Sequence, residues 1–422
     1  MKILYLCADA GIPVLGRKGA SVHVRELIGA FARAGHQVTL AAQTLTKLPA
    51  EEPAQVRARV IHVPSASAAV AAVHAFKKFN EKLGLENSLP GELRRVLYNE
   101  ALYQDIKRRF FRHRPAFIYE RASLYATVGV RLAAKFKVPL IIELNAPLAL
   151  EQTEYRATGF GELAAQAERW TLTNADAVVV VSTELAKHAR SLSVPARKVH
   201  VIPNGVNPEL FCSPSSVSAE RRNLIGKASA VLSRAAATRT LGFVGGLRPW
   251  HGVEVLPQLL ARLCKRSPNT RMIIVGDGQL RAELGREFKK RGLNKRVTFT
   301  GALLHEEVPA VIRQFDIALA PYPRHNHDFY FSPLKLFEYM ACGVAVVAAR
   351  QGQVAEVVRH GRTGLLYPPG DFRALVANCE RLLANATLRH GLGAAAAKVV
   401  RENFTWDLNA ARLIQLAKNL RA

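Results

Sequence analysis

Short, almost unbroken apolar runs rich in Val, Ile and Leu alternate with longer stretches of helical period, and the alternation runs through the chain twice. In the first half the strand candidates are Lys2–Cys7, Gln37–Ala42, Arg59–Val63, Phe117–Glu120, Pro139–Glu143, Ala177–Val181 and Lys198–Ile202. Helix-like segments such as Val22–Ala34 and Leu124–Lys135 lie between them. The pattern restarts with Thr240–Gly245, Arg271–Val275, Arg296–Phe299, Ile317–Pro321, Val344–Ala348 and Gly364–Tyr367. Strands apolar on both sides belong to sheets covered on both faces, and alternation with helices implies parallel βαβ units. The fold class is therefore α/β, with two doubly wound, Rossmann-like parallel-sheet domains. At 422 residues the chain has room for both, since a domain averages ~150 residues. Ser213-Pro214-Ser215-Ser216 opens a polar stretch without apolar period. It divides the chain into an N-terminal domain over 1–205, a linker over 206–239, a second domain over 240–400 and a closing helical segment over 401–422. Two such domains are expected to face each other across a cleft, with ligands beyond the carboxyl ends of the strands.

The other global features narrow the function. No apolar run approaches the ~18 residues that span a bilayer; Met1–Ala8 reads as a first strand rather than a signal segment because Asp9 interrupts it. Five scattered cysteines without a CxxC pair argue against a disulfide framework or structural zinc, and for a reducing cytoplasm. The formal net charge is +26. It is spread evenly, with 28 Lys and Arg against 17 Asp and Glu before Gly205 and 31 against 16 after it. Such a surface suits a polyanion, an anionic membrane or a phosphate-bearing ligand, and equally a merely solvated basic protein. There is no Asp-x-Asp, HExxH or His/Cys cluster, so no bound metal is expected. No P-loop or GxSxG motif exists.

Three segments could hold a phosphate. In Tyr330-Phe-Ser-Pro-Leu-Lys-Leu-Phe-Glu-Tyr-Met-Ala-Cys-Gly343, Ser332 suits an N-cap, Pro333 a first helical position and Gly343 a stop. The amides of Leu334 and Lys335 would lie at the positive end of a helix of about ten residues. Glu338, one turn deeper, could accept hydrogen bonds from a ribose diol. A capped surface helix with a Lys335–Glu338 pair fits the same residues. Gly16–His23 opens the helix after the first strand, and Gly245-Gly246-Leu-Arg248-Pro-Trp-His251-Gly252 follows the first strand of the second half. The latter carries one permanent cation, Arg248, and one conditional cation, His251. Gly276-Asp277-Gly278 is a further strand-end loop. Each loop also reads as a plain turn.

Taken in order, these segments resemble a family 4 glycosyltransferase of the GT-B type. The landmarks are Lys18–His23, Ile202-Pro-Asn-Gly-Val-Asn207, Phe243–Gly252, Ile274–Gly278, Ser332–Gly343 and His360-Gly-Arg-Thr-Gly-Leu-Leu-Tyr-Pro368. The resemblance implies a retaining, metal-independent enzyme that moves a sugar from a nucleoside diphosphate sugar to an acceptor hydroxyl, with no cofactor beyond that co-substrate. Glu338 matches the second glutamate of the family's Glu-x7-Glu motif, which holds the donor ribose. Ser332, Pro333, Leu334 and Lys335 match the diphosphate-binding turn, and Gly19 matches the glycine whose backbone approaches the diphosphate. Gly245, Gly246, Asp277 and Gly278 are expected on the donor side, His23 and Glu143 on the acceptor side.

The departures are specific. Tyr330 replaces the first glutamate, the family's phosphate-neutralising Arg and Lys fall on Gly246 and His251, and the frequent active-site histidine falls on Asn145. Arg248 is the expected substitute cation. The resemblance thus implies a variant active site, with Arg248, His251, Asn145 and Tyr330 as its catalytic set. The expected partners are a nucleotide-sugar donor and a sugar or lipid-linked acceptor, in cell-surface polysaccharide or glycolipid synthesis. Lys77, Lys78, Lys82, Arg94, Arg95 and Lys107–Arg114 place basic charge and aromatics on probable helices. They suit docking on the inner face of the plasma membrane. No nucleic-acid-binding signature is present. A GT-B epimerase or phosphorylase, or a silent binding member of the family, shares these motifs.

Overall fold

A computed structural model describes residues 1–46, 54–155, 159–211, 238–325 and 327–421. Cys212 and residues 212–237 of the expected linker lie outside them. The chain divides into two compact units, Met1–Pro203 with Asp407–Ala422, and Asn204–Trp406.

The first unit is a seven-stranded sheet of β1 (Lys2–Cys7), β2 (Gln37–Ala42), β3 (Arg59–His62), β4 (Phe117–Arg121), β5 (Leu140–Leu144), β6 (Ala177–Val180) and β7 (Val199–Val201). Its order is β3-β2-β1-β4-β5-β6-β7, and neighbouring strands are parallel throughout. The strands are apolar because helices cover both faces: every residue of β4, β5 and β6 is buried. That includes three charged side chains, Glu120, Arg121 and Glu143. The helix Trp406–Asn419 returns to this unit, where Asp407 pairs with Arg33 at 2.8 Å.

The second unit repeats the plan with six strands. They are β8 (Arg239–Val244), β9 (Thr270–Val275), β10 (Val297–Gly301), β11 (Ile317–Ala320), β12 (Ala345–Ala349) and β13 (Leu365–Tyr367), in the order β10-β9-β8-β11-β12-β13, again parallel. In both sheets the strand order reverses direction beside the first strand, at β1/β4 and at β8/β11. Loops at the carboxyl ends of those pairs are where an open parallel sheet leaves a crevice for a ligand.

The expected linker begins later than its composition suggests. Val206 bridges to Thr405, and Pro208–Phe211 forms a helical turn whose Phe211 is buried. A Cβ on Gly205 would lie 2.7 Å from the backbone of Thr405 and Trp406, so this segment is packed against chain 200 residues away. Among the described residues, no helix is long and apolar enough to cross a membrane.

Candidate functional site

The loop after β8 and the loop after β9 are woven together through their glycines. Gly245 N–H donates to Val275 O at 2.9 Å and Leu247 N–H to Asp277 O at 3.0 Å. Gly245 and Gly276 have φ of 141° and 120°, and a Cβ on Gly276 would collide with Gly245 O. Only glycine fits such a left-handed position in contact with another backbone. Asp277 is exposed and caps its own turn, its Oδ1 accepting from Gly278 N–H at 2.7 Å. A Cβ on Gly246 would meet Arg248, His251 and Asp277 at no closer than 3.6 Å, so a small side chain would fit there.

Two cations were expected on this loop, and only one is charged. Arg248 is exposed, donates to Gln279 Oε1 at 2.7 Å and lies 5.7 Å from the Trp250 ring. His251 turns inward on the Pro249–His251 turn, with Nδ1 2.6 Å from Gly246 O and its ring beside Phe243 and Tyr322. Burial pushes the His251 imidazole down to about 3. The ring is thus neutral at working pH, and the expectation of a conditional cation is corrected: Nδ1–H donates to the carbonyl and Nε2 is left as an acceptor.

The helix after β11 spans Leu334–Ala341 and begins one residue later than its sequence suggests. Ser332 is not its N-cap. The Ser332 hydroxyl accepts from Asn204 N–H at 3.0 Å, while Asn204 Nδ2 donates to Ser332 O at 2.7 Å. Pro333 occupies the cap position with extended backbone, and no side chain caps the helix among the described residues. The N–H groups of Leu334 and Lys335, in the first turn, have no helical carbonyl to receive them. Gly343, with φ 70°, ends the helix as expected; Val344 N–H donates back to Tyr339 O. Val244 N–H donates to Tyr339 Oη at 2.6 Å, tying the helix to β8.

This is no surface helix: every residue from Lys335 to Ala341 is buried. Glu338 does not pair with Lys335. Its Oε1 meets His305 Nε2 at 2.9 Å, with both side chains largely buried. Lys335 Nζ has no hydrogen-bond partner among the described residues and lies 4.2 Å from the centre of the Phe243 ring and 5.4 Å from that of Tyr322. A Cβ on Gly245 would sit 2.7 Å from it. Burial pushes the Lys335 amine down to about 7, against the opposing pull of Glu338. Tyr330 is buried in an aromatic cluster, stacked on His327 and 4.5 Å from Phe331.

In the first unit the carboxyl ends of β4 and β5 carry a second polar group. His23 Nε2 meets Glu143 Oε1 at 2.8 Å, and Arg121 Nη1 lies 3.7 Å from Glu143 Oε2. Burial alone would raise the Glu143 carboxyl, but His23 and Arg121 more than offset it and hold the group below its usual value. Asn145, just past β5, keeps its Nδ2 shielded and without a hydrogen-bond partner among the described residues. Gly19 is the first residue of the helix Gly19–Arg33, preceded by Lys18 in extended conformation. Sequence reasoning missed Arg121 and His305, which carry no motif and gain their roles from tertiary contact alone.

Two family models account for most of the chain: Glycosyltransferase Family 4 matches residues 17–210 and Glycosyl transferases group 1 matches residues 238–385. The chain belongs to the family 4, group 1 glycosyltransferases. A similar curated protein is the GDP-mannose-dependent alpha-(1-6)-phosphatidylinositol monomannoside mannosyltransferase of Mycolicibacterium smegmatis. It is 28% identical over 254 residues, which make up 59% of this chain and 63% of the relative. Two solved structures share the fold across nearly the whole length. Sucrose-phosphate synthase from Thermosynechococcus elongatus has a TM-score of 0.74 at 22% identity, covering 99% of this chain and 98% of that one. Anabaena HepE in complex with UDP and glucose has a TM-score of 0.69 at 20% identity, covering 99% and 100%. The architecture of this glycosyltransferase is that of GT-B enzymes.

Proposed function

We infer that the chain transfers a sugar from a nucleoside diphosphate sugar to an acceptor hydroxyl with retained configuration and without a metal, in glycolipid or cell-surface polysaccharide synthesis. The observation that carries this reading is the amino end of Leu334–Ala341. Its first-turn N–H groups, which no helical carbonyl receives, the Cβ-free backbone at Gly245–Gly246 and the Glu338 carboxylate one turn deeper lie together beyond β8 and β11. Helix amino ends attract phosphate, and an ionised carboxylate accepts a diol's two hydroxyls. In the transfer, the bond from the anomeric carbon to the leaving phosphate oxygen breaks as that to the acceptor oxygen forms. The acceptor's proton passes to the leaving diphosphate. The chain's task is then to stabilise the charge that develops on that diphosphate, a task for the helix amides and Arg248. One relative is named for GDP-mannose and a structural neighbour is solved with UDP, so the base is best found with a thermal-shift panel of UDP-, GDP- and ADP-sugars. No stabilisation by any of them would overturn the reading.

Glu338→Ala is expected to weaken nucleoside diphosphate binding on the order of ten- to a hundredfold, the worth of one or two hydrogen bonds to a charged group. Calorimetric titration checks it, and wild-type affinity in the variant would remove Glu338 from the site.

The acceptor is proposed to be lipid-linked and reached from an anionic membrane surface, the inner face of the plasma membrane. The helix Ser67–Lys82 buries only Asn80. Val70, Phe79, Leu83 and Leu85 are each at least half exposed, beside Lys77, Lys78 and Lys82. Exposed apolar side chains flanked by lysines, on this helix and just past its end, match the chemistry of an interfacial anchor, each lysine adding about 1 kcal/mol near anionic lipid. The chain should sediment with phosphatidylglycerol vesicles at low salt and be released as salt rises. Phe79→Glu with Leu83→Glu should abolish sedimentation without changing nucleotide affinity; unchanged sedimentation would exclude this helix.

A further inference from the structure

Lys335 is placed where a lysine has least reason to be. It sits in the first turn of a helix, where the macrodipole is positive and disfavours an ammonium. Its long stem could carry the charge out to water, as lysines ordinarily do, yet the residue is only 8% exposed. Its nitrogen has no hydrogen-bond partner among the described residues, whereas buried polar atoms are nearly always satisfied. The one carboxylate nearby, Glu338, is engaged with His305. The other groups facing it are the neutral His251 imidazole on the loop after β8, the Tyr322 phenol after β11 and the Phe243 ring, with Arg248 further out. None of these accepts its proton, but the two aromatic faces favour a cation once it forms.

An anion at the helix amino end resolves every one of these conflicts. It meets the free amides, reverses the sign of the local field and gives the nitrogen a partner. We propose that Lys335 is the charge-compensating residue of the donor site: stored as a buried amine beside Gly245, it takes up a proton from solvent as the donor's diphosphate binds. The lone pair on Nζ accepts the proton, no covalent bond forms, and the buffer supplies the proton. The helix itself thus supplies a second cation beside Arg248 of the glycine loop, whose His251 stays neutral. The burial that holds this amine near 7 in the empty site means that it is mostly uncharged at pH 8 before the ligand arrives.

The inference rests on the donor-site reading, and one experiment separates the two. The whole chain is titrated calorimetrically with UDP, GDP and ADP at pH 8, where the nucleotide phosphates are fully ionised, in buffers of different ionisation enthalpy. The wild type should take up a proton as each nucleotide binds, because the amine is mostly uncharged at pH 8. Lys335→Met should abolish the uptake and weaken binding at least tenfold. Binding by the wild type without proton uptake, which needs no variant to detect, would overturn the proposal while leaving the donor site standing. So would uptake that persists in a folded Lys335→Met protein. Failure of all three nucleotides to bind the wild type would instead overturn the donor site, and this inference with it.

Discussion

Replacing Arg248 with alanine is expected to lower turnover about a hundredfold while leaving the melting temperature unmoved. The rate effect is that of removing one preorganised group aimed at charge developing in a transition state, here the charge appearing on the leaving diphosphate. Stability should be spared because the side chain is exposed and its hydrogen bond is to another exposed side chain, Gln279; substitutions of that kind rarely move folding by more than about 0.5 kcal/mol. His251 cannot take over, because burial holds it neutral. Arg248→Lys should recover part of the rate, since it keeps a charge but loses the planar fork that grips two oxygens. Steady-state kinetics on purified variants decide the matter: wild-type turnover in Arg248→Ala removes the residue from the mechanism.

The sheets were legible because burial on both faces leaves little choice of residue. Ala177–Val180 and Ala345–Ala349 are wholly buried and wholly apolar, and each of the thirteen strands lies within two residues of its apolar run. The glycines of the strand-end loops were also readable, since positive φ at Gly245 and Gly276, with backbone contact at the latter, favours glycine. What escaped the sequence depends on partners far along the chain. Ser332 has the right residue type for a cap, yet Asn204, more than a hundred positions away, takes its hydroxyl. Glu338 has an oppositely charged residue three positions earlier, yet pairs with His305. The charge states of His251 and Lys335 follow from what surrounds them rather than from what adjoins them, and no spacing rule encodes that. Tyr330 shows the same limit: its position marks it as a departure from the family, and only the fold shows it packed against His327 and Phe331.

Glu120 carries the other large expected effect, and it acts on the fold. The residue lies in β4 with 1% of its surface exposed, and its carboxylate packs so closely on Gly129 that no side chain could stand there. Burial pushes the Glu120 carboxyl up to about 8, from an ordinary value of 4.5. Between those two values the folded chain holds a proton that the unfolded chain has lost. The stability tied to this proton is complete below 4.5 and drains away as pH rises toward 8. At 1.36 kcal/mol per unit, the whole difference is on the order of 5 kcal/mol. Glu143 works in the opposite sense: its lowered value gives stability at higher pH that is lost on acidification. The wild-type curve alone therefore mixes the two. Glu120→Gln isolates one of them, because the amide keeps the shape and stays neutral at every pH. Denaturant unfolding of both proteins at pH 5 and pH 9 should show little difference at the acid end and a variant more stable by several kcal/mol at the alkaline end. Parallel behaviour at the two values would mean that Glu120 is already ionised in the folded chain, with a counter-charge to hold it there.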